Sequence, residues 1–152
     1  STYTAHVVRI IDGDTIHVRD ITGEAHRIRL AMIDAPERKQ PFGTKATKKL
    51  SELLRQGTVR LKVKCIDKYN REVAFVYCEG KDVSAEMLKE GMALHYHINF
   101  DKCEMYDKFE AAAKRCHKGL WAQEKIEKPW DFRRKHKAQE ELKLLAIELN
   151  SK

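Results

Sequence analysis

Residues 5–33 read AHVVRIIDGDTIHVRDITGEAHRIRLAMI, and the period of this stretch decides the fold. Residues 5–11 are rich in β-branched types and end at Asp12-Gly13-Asp14, a turn signal. Residues 15–20 (TIHVRD) read as a second strand, followed by a turn at Thr22-Gly23. In residues 25–33, Ile28, Leu30 and Met32 alternate with Arg27 and Arg29, so one face is apolar and the other cationic. The stretch is a three-stranded meander.

Downstream the period lengthens. Ala46, Leu50, Leu53 and Leu54 recur at helical spacing within residues 44–57, and Gly57 supplies a stop. Residues 58–65 (TVRLKVKC) alternate again. They turn through Asp67-Lys68-Tyr69-Asn70, where Asn70 suits a left-handed position, and return as a strand over 72–78. Ser84 reads as the cap of a short helix that ends at Gly91. Residues 104–118 read as a helix with Met105, Phe109, Ala112, Ala113 and Cys116 on one stripe, closed by Gly119. The composition turns charged after Trp121, and the end of the chain reads as a helix with Leu142, Leu145 and Leu149 on one side. Five strands interrupted by a helix suit an all-β core with helices, a five-stranded OB-fold barrel of the α+β class with about three α-helices and a C-terminal helical extension. An α+β sandwich is the structural alternative. The expected division is a barrel domain over residues 1–127 and a basic, helical extension over 128–152, which packs on the barrel, pairs with a neighbour or frays.

With 152 residues, 42% of them hydrophobic, the chain suits one domain with a real core. It has no apolar run of about 18 residues, so no membrane partner is expected. No signal peptide is visible; the expectation is a monomer that is secreted or periplasmic. The net charge of +7 favours polyanions such as nucleic acid, although charge of that size also fits a merely soluble surface. The four cysteines are spaced too widely for a paired CxxC zinc site. In an oxidising compartment at least one disulfide is expected, with Cys65 and Cys78, which flank one hairpin, as partners; Cys116 fits a buried thiol on the helix stripe.

Three acidic segments carry the chemistry. Asp12-Gly13-Asp14-Thr15, Ile33-Asp34-Ala35-Pro36-Glu37 and Asp67-Lys68-Tyr69-Asn70-Arg71 are each, alone, ordinary turns or loop starts. Together they say more, because a meander can bring the first two close. Asp14 and Asp34 would offer hard oxygen ligands suited to Ca²⁺. Glu37 is close enough in sequence to Asp34 to reach a water on that metal. Arg29 shares a strand with the site, and Arg71 comes from another hairpin. Two guanidinium forks beside a metal and a carboxylate suit phosphodiester hydrolysis, whose transition state gathers negative charge on the phosphoryl oxygens.

The words VVRIIDGDTIHV, HRIRLAMIDAPE, DKYNREVAFVY, LKEGMAL and KGLW, in that order over about residues 5–121, resemble the staphylococcal nuclease family. PWDFRR after KGLW resembles bacterial members. The resemblance implies an OB-fold nuclease that hydrolyses DNA and RNA with little sequence preference, needs Ca²⁺ and leaves 3′-phosphate ends. It implies that Asp14, Asp34 and the backbone carbonyl of Ala35 hold the calcium ion, with Asp12 supporting them. It implies that Arg29 and Arg71 bind phosphate and that Glu37 activates or orients the attacking water. Lys68 and Tyr69 would lie against the nucleotide. Tyr96 would stand beside the base, with His97 as the alternative if the alignment shifts by one. Asn70 stands where the family usually has Gly, and the loop from Arg38 to Thr44 is short for the family. The alternative function is a catalytically weak nucleic-acid-binding or scaffold module of the same fold. Arg133–Lys137 reads as either a solvated face or a phosphate-tracking patch, and Trp121 and Trp130 read as anchors for the C-terminal segment.

Overall fold

A computed structural model of the chain describes residues 1–96 and 103–151. Its strands are β1 (Thr2–Ile10), β2 (Thr15–Asp20), β3 (Ala25–Leu30), β4 (Ile33–Asp34), β5 (Thr58–Ile66), β6 (Glu72–Cys78), β7 (Lys81–Asp82) and β8 (Leu94–His95). Its helices are α1 (Gly43–Leu53), α2 (Val83–Lys89), α3 (Glu104–Arg115) and α4 (Pro129–Asn150), with a 3-10 turn at Gly119–Ala122.

The long strands pair in the order β3-β2-β1-β5-β6. The ring then closes because β3 pairs β6 in parallel, Ile28 with Glu72, Arg29 with Val73 and Leu30 with Ala74. This is the expected five-stranded OB-type barrel, and closure removes its free edges. The register slips between Val7 and Arg9 in β1 and between Val63 and Cys65 in β5, and such bulges add the bend that a small barrel needs. Inward residues alternate along β2, β3, β5 and β6: Ile16 and Val18, Ile28 and Leu30, Val59 and Leu61, Ala74 and Val76 are all buried. Burying each large aliphatic side chain among them contributes about 2 kcal/mol. Ala46 and Leu50 of α1, and Met87 and Leu88 of α2, join the same core.

Several local readings are corrected. The strand expected over 25–33 stops at Leu30, because Met32 adopts a left-handed conformation (φ 65°) and reverses the chain. Ile33 and Asp34 then pair with His95 and Leu94 instead. Ser84 does not cap α2. Asp82 does, accepting from the Ala85 N–H, while the Ser84 hydroxyl donates to the Ala31 carbonyl and secures the reversal. The buried face of α3 is Tyr106 and Ala113, with Met105 and Cys116 exposed, so the true stripe is turned by about one residue. All four cysteines are free. The Cys65–Cys78 pairing fails on register: Cys65 sits opposite Val73 beside the turn, whereas Cys78 lies at the far end of the hairpin. Asn70 does take the left-handed position (φ 62°).

Two glycines hold the acidic loops in place. A Cβ on Gly13 would lie 2.7 Å from Ala35 Cβ and 2.9 Å from Ala46 Cβ, so the turn bearing Asp12 and Asp14 nests against α1 and the loop after β4 only without a side chain. A Cβ on Gly43 would fall 1.9 Å from the Glu37 carbonyl oxygen. The seam between β3 and β6 has its own clamp. His26 Nε2 meets Asp20 Oδ2 at 2.7 Å, its Nδ1 meets Glu72 Oε2 at 2.5 Å, and the Tyr3 hydroxyl donates to Glu72 Oε1 at 2.6 Å. Burial disfavours the imidazolium, but the carboxylates of Asp20 and Glu72 outweigh it and raise the His26 pKa above 6.5.

Two predictions follow from these contacts. Gly13→Ala should cost about 1–3 kcal/mol through overpacking, measured by urea unfolding; a midpoint equal to wild type would contradict the nesting. For His26→Gln, the raised folded pKa means that the clamp's stabilisation is full below the unfolded value near 6.5 and is lost as pH rises through the folded one. The melting-temperature gap to wild type should therefore be wider at about pH 6 than at about pH 9. A gap that widens towards alkaline pH would show that the ring acts uncharged.

Candidate active site

The site is built where the turn before β2 meets the end of β4. Asp14 and Asp34 are buried there, at 5% and 0% exposure. Asp14 Oδ2 accepts from the Ala35 N–H at 2.8 Å, and its Oδ1 accepts from the Thr15 hydroxyl at 3.1 Å. The Leu30 N–H donates to the Asp14 carbonyl at 2.8 Å, stitching the same turn to β3. Arg29 enters from β3. Its Nη2 lies 3.5 Å from Asp14 Oδ2 and 3.3 Å from Asp34 Oδ1, so one guanidinium spans both acids. Its Nη1 donates to the carbonyls of Leu30 and Ile33, at 2.8 Å each, which fixes the fork. Asp12 sits behind, accepting the Asp14 N–H at 3.0 Å.

Burial raises the Asp14 carboxyl, but Arg29, Asp12 and the donors from Ala35 and Thr15 prevail and hold it below the ordinary carboxylate range. Asp12 moves the other way, pushed up to about 7 by burial and by the negative charge of Asp14. Asp34 is also raised. Burial is the main cause and Asp14 adds to it, against the pull of Arg133 and Arg29.

Glu37 lies at the rim. Its N–H donates to Gln40 Oε1 at 3.2 Å and its carbonyl accepts the Gln40 N–H at 2.9 Å, a turn that leaves the carboxylate one-third exposed. Arg71 arrives from the β5–β6 hairpin, with Nε 2.8 Å from Asp67 Oδ2 and Nη1 3.5 Å from the Thr15 hydroxyl. Asp67 also accepts the N–H groups of Tyr69 and Arg71, at 2.9 Å each, so it sets the loop and aims the arginine. Tyr69 is exposed, with Lys68 Nζ and the Arg71 guanidinium each 5.2 Å from its ring centroid. Tyr96 is tied by its N–H to the Met32 carbonyl at 2.9 Å, and its ring lies 5.5 Å from that of Trp130. His97 lies outside the described residues.

The sequence-predicted residues therefore fall into one region. Asp12, Asp14, Asp34, Ala35, Arg29 and Glu37 surround the buried acids, and Arg71, Lys68 and Tyr69 lie beyond Thr15. Sequence reasoning missed Asp67, Thr15 and Gln40, which position others, and above all Arg133. That residue of α4 donates to Asp34 Oδ2 at 2.6 Å, Asp34 Oδ1 at 3.1 Å and Glu37 Oε1 at 2.9 Å. Arg133 is thus committed to two carboxylates even though its side chain stays 42% exposed. Nothing local marks an arginine 99 residues after Asp34 as its partner.

Asp14 and Asp34 bring two buried carboxylates to one place, hard oxygen donors of the kind that suit a divalent cation. The residues present fit such an ion. Among the described residues, the one tight group of three ligating side chains is elsewhere, at Asp20, Glu24 and His26. There both ring nitrogens of His26 are already held by carboxylates, and the group serves the barrel seam.

Residues 27–123 match the family model described as staphylococcal nuclease homologue. This span holds Arg29, Asp34, Ala35, Glu37, Lys68, Tyr69, Arg71 and Tyr96; Asp12 and Asp14 precede it, and Arg133 follows it. The chain is 40% identical to an uncharacterized endonuclease of Haemophilus influenzae, over 88% of this chain and 75% of that protein. It is 36% identical to a micrococcal nuclease of Shigella flexneri, over 89% of this chain and 83% of the relative. A staphylococcal-like nuclease of Arabidopsis thaliana is 38% identical over 76% of this chain, which spans only 35% of the plant protein's length. On a closed five-stranded barrel with these residues gathered at the mouth of β2 and β4, the chain belongs to the staphylococcal nuclease family.

Proposed function

We propose that the chain is a calcium-dependent nuclease that cleaves phosphodiester bonds within DNA and RNA, with little sequence preference, leaving 3′-phosphate ends. The observation that carries this reading is the pair of buried carboxylates, Asp14 and Asp34, spanned by Arg29. Glu37 stands at the rim of this pair, and Arg71 reaches the same edge through Thr15. Asp14, Asp34 and the Ala35 carbonyl would hold the ion, which when bound supplies a Lewis acid and a template for the phosphate.

The remaining work falls to the chain. Glu37 takes a proton from water as the water oxygen bonds to phosphorus in line, and the bond from phosphorus to the 5′-oxygen breaks. The leaving 5′-oxygen takes a proton from solvent. Arg29 and Arg71 meet the charge that develops on the phosphoryl oxygens with planar forks, and Asp67 keeps the Arg71 fork aimed. Lys68 and Tyr69 offer a cation and an exposed ring to the nucleotide. The net charge of +7 draws the polyanion in from a distance.

Plasmid DNA and single-stranded RNA should both be degraded with Ca²⁺ and spared with excess EDTA. Mg²⁺ should be the poorer activator, because it is smaller and demands stricter octahedral geometry. Asp34→Ala should lose the cation response but keep salt-sensitive nucleic-acid binding. Undiminished cleavage in EDTA would sink the cation's part in this reading. No cleavage under any calcium condition, with binding intact, would favour the binding module. Separately, Arg71→Ala and Glu37→Ala should each lower turnover by about 10²–10³-fold in folded protein, by steady-state kinetics. Near wild-type rates in either variant would remove that residue from the chemistry.

A further inference from the structure

The first turns of α4 are held on the barrel by an unusual set of contacts. Arg133 forks onto both oxygens of fully buried Asp34 and reaches Glu37 with the same guanidinium. Trp130, three residues earlier and therefore on the same helix face, sets its ring 5.5 Å from Tyr96. The Gln40 side chain donates to the Glu127 carbonyl just ahead of the helix. From Lys137 onward the helix is exposed, so only its N-terminal end docks. Phe132 and His136 line a cleft of about 420 Å³ between α4 and the Glu37 loop.

Two of these contacts, those of Arg133 and Trp130, take positions that the proposed reaction needs. A guanidinium and a divalent cation compete for the same carboxylate lone pairs on Asp34. An indole against Tyr96 occupies the aromatic face where a base would lie. We propose that the N-terminal end of α4 is an internal occupant of the active site, with Arg133 in the cation's place and Trp130 in the base's. Binding of a divalent cation releases it. The inference rests on the reading of Asp14 and Asp34 as cation ligands. Cation affinity is then set partly by the latch, since a binding-competent state that is only fractionally populated weakens apparent affinity by that fraction.

The test uses the full chain and calcium ion alone, without nucleic acid. Isothermal titration should give a Kd for Ca²⁺ about tenfold lower in Arg133→Ala than in wild type, the value for a latch closed about nine-tenths of the time. Trp130→Ala, which removes an uncharged ring and leaves Arg133 in place, should shift affinity in the same direction. Amide hydrogen exchange across residues 129–136 should accelerate in wild type when Ca²⁺ is added. Wild-type calcium binding with unchanged or weaker affinity in both variants, and no change in α4 exchange, would overturn the latch and leave the nuclease reading standing. Absence of calcium binding in wild type and both variants would overturn the latch together with the cation site.

Discussion

The site depends on one electrostatic bargain: Arg29 lies between two carboxylates that the fold removes from water. Two buried like charges a few ångströms apart would be costly unless paired and hydrogen-bonded. Arg29 answers that cost from within the barrel, on a strand whose register is set by two neighbours, β2 on one side and β6 on the other. Its second nitrogen is pinned to the carbonyls of Leu30 and Ile33, so the fork has little freedom to leave. The pairing across β3 and β6 that closes the barrel and the pairing that neutralises the acids thus share one strand.

Around that pair, close packing does the positioning. Gly13 lets the acidic turn touch Ala35 and Ala46, and the Ala35 N–H then holds Asp14 directly. Gly43 presses the start of α1 onto the carbonyl of Glu37, while Gln40 holds that turn from within. Backbone contact is what sets the spacing of the carboxylates, so small residues surround a highly charged site. On the far side, Asp67 plays for Arg71 the part that the carbonyls play for Arg29.

Arg133 brings a second guanidinium to the buried acids. Asp34 is the most deeply buried acid of the pocket and shares Arg29 with Asp14, so a second guanidinium on its two oxygens meets a real deficit. The same deficit is what a divalent ion would answer. Buried carboxylates attract whatever cationic group the chain can bring to them. The leucines of α4 contribute nothing to this docking, since Leu142, Leu145 and Leu149 are all exposed.

The alternation of β2, β3, β5 and β6, the helical spacing of Ala46 and Leu50, and the ordered words around Asp14, Asp34 and Arg71 made the barrel and most of the site legible in the chain itself. Those features are local periods and short motifs, and local patterning is what a linear sequence carries well. The reversal at Met32, the rotation of α3 onto Tyr106, the failure of Cys65 to face Cys78 and the cap at Asp82 were decided by packing and register, which depend on partners distant in sequence. Arg133 is the extreme case. Its place on a charged helix looks the same whether it faces water, phosphate or a carboxylate. Only the tertiary structure, by bringing α4 across Asp34 and Glu37, determined which of these it meets.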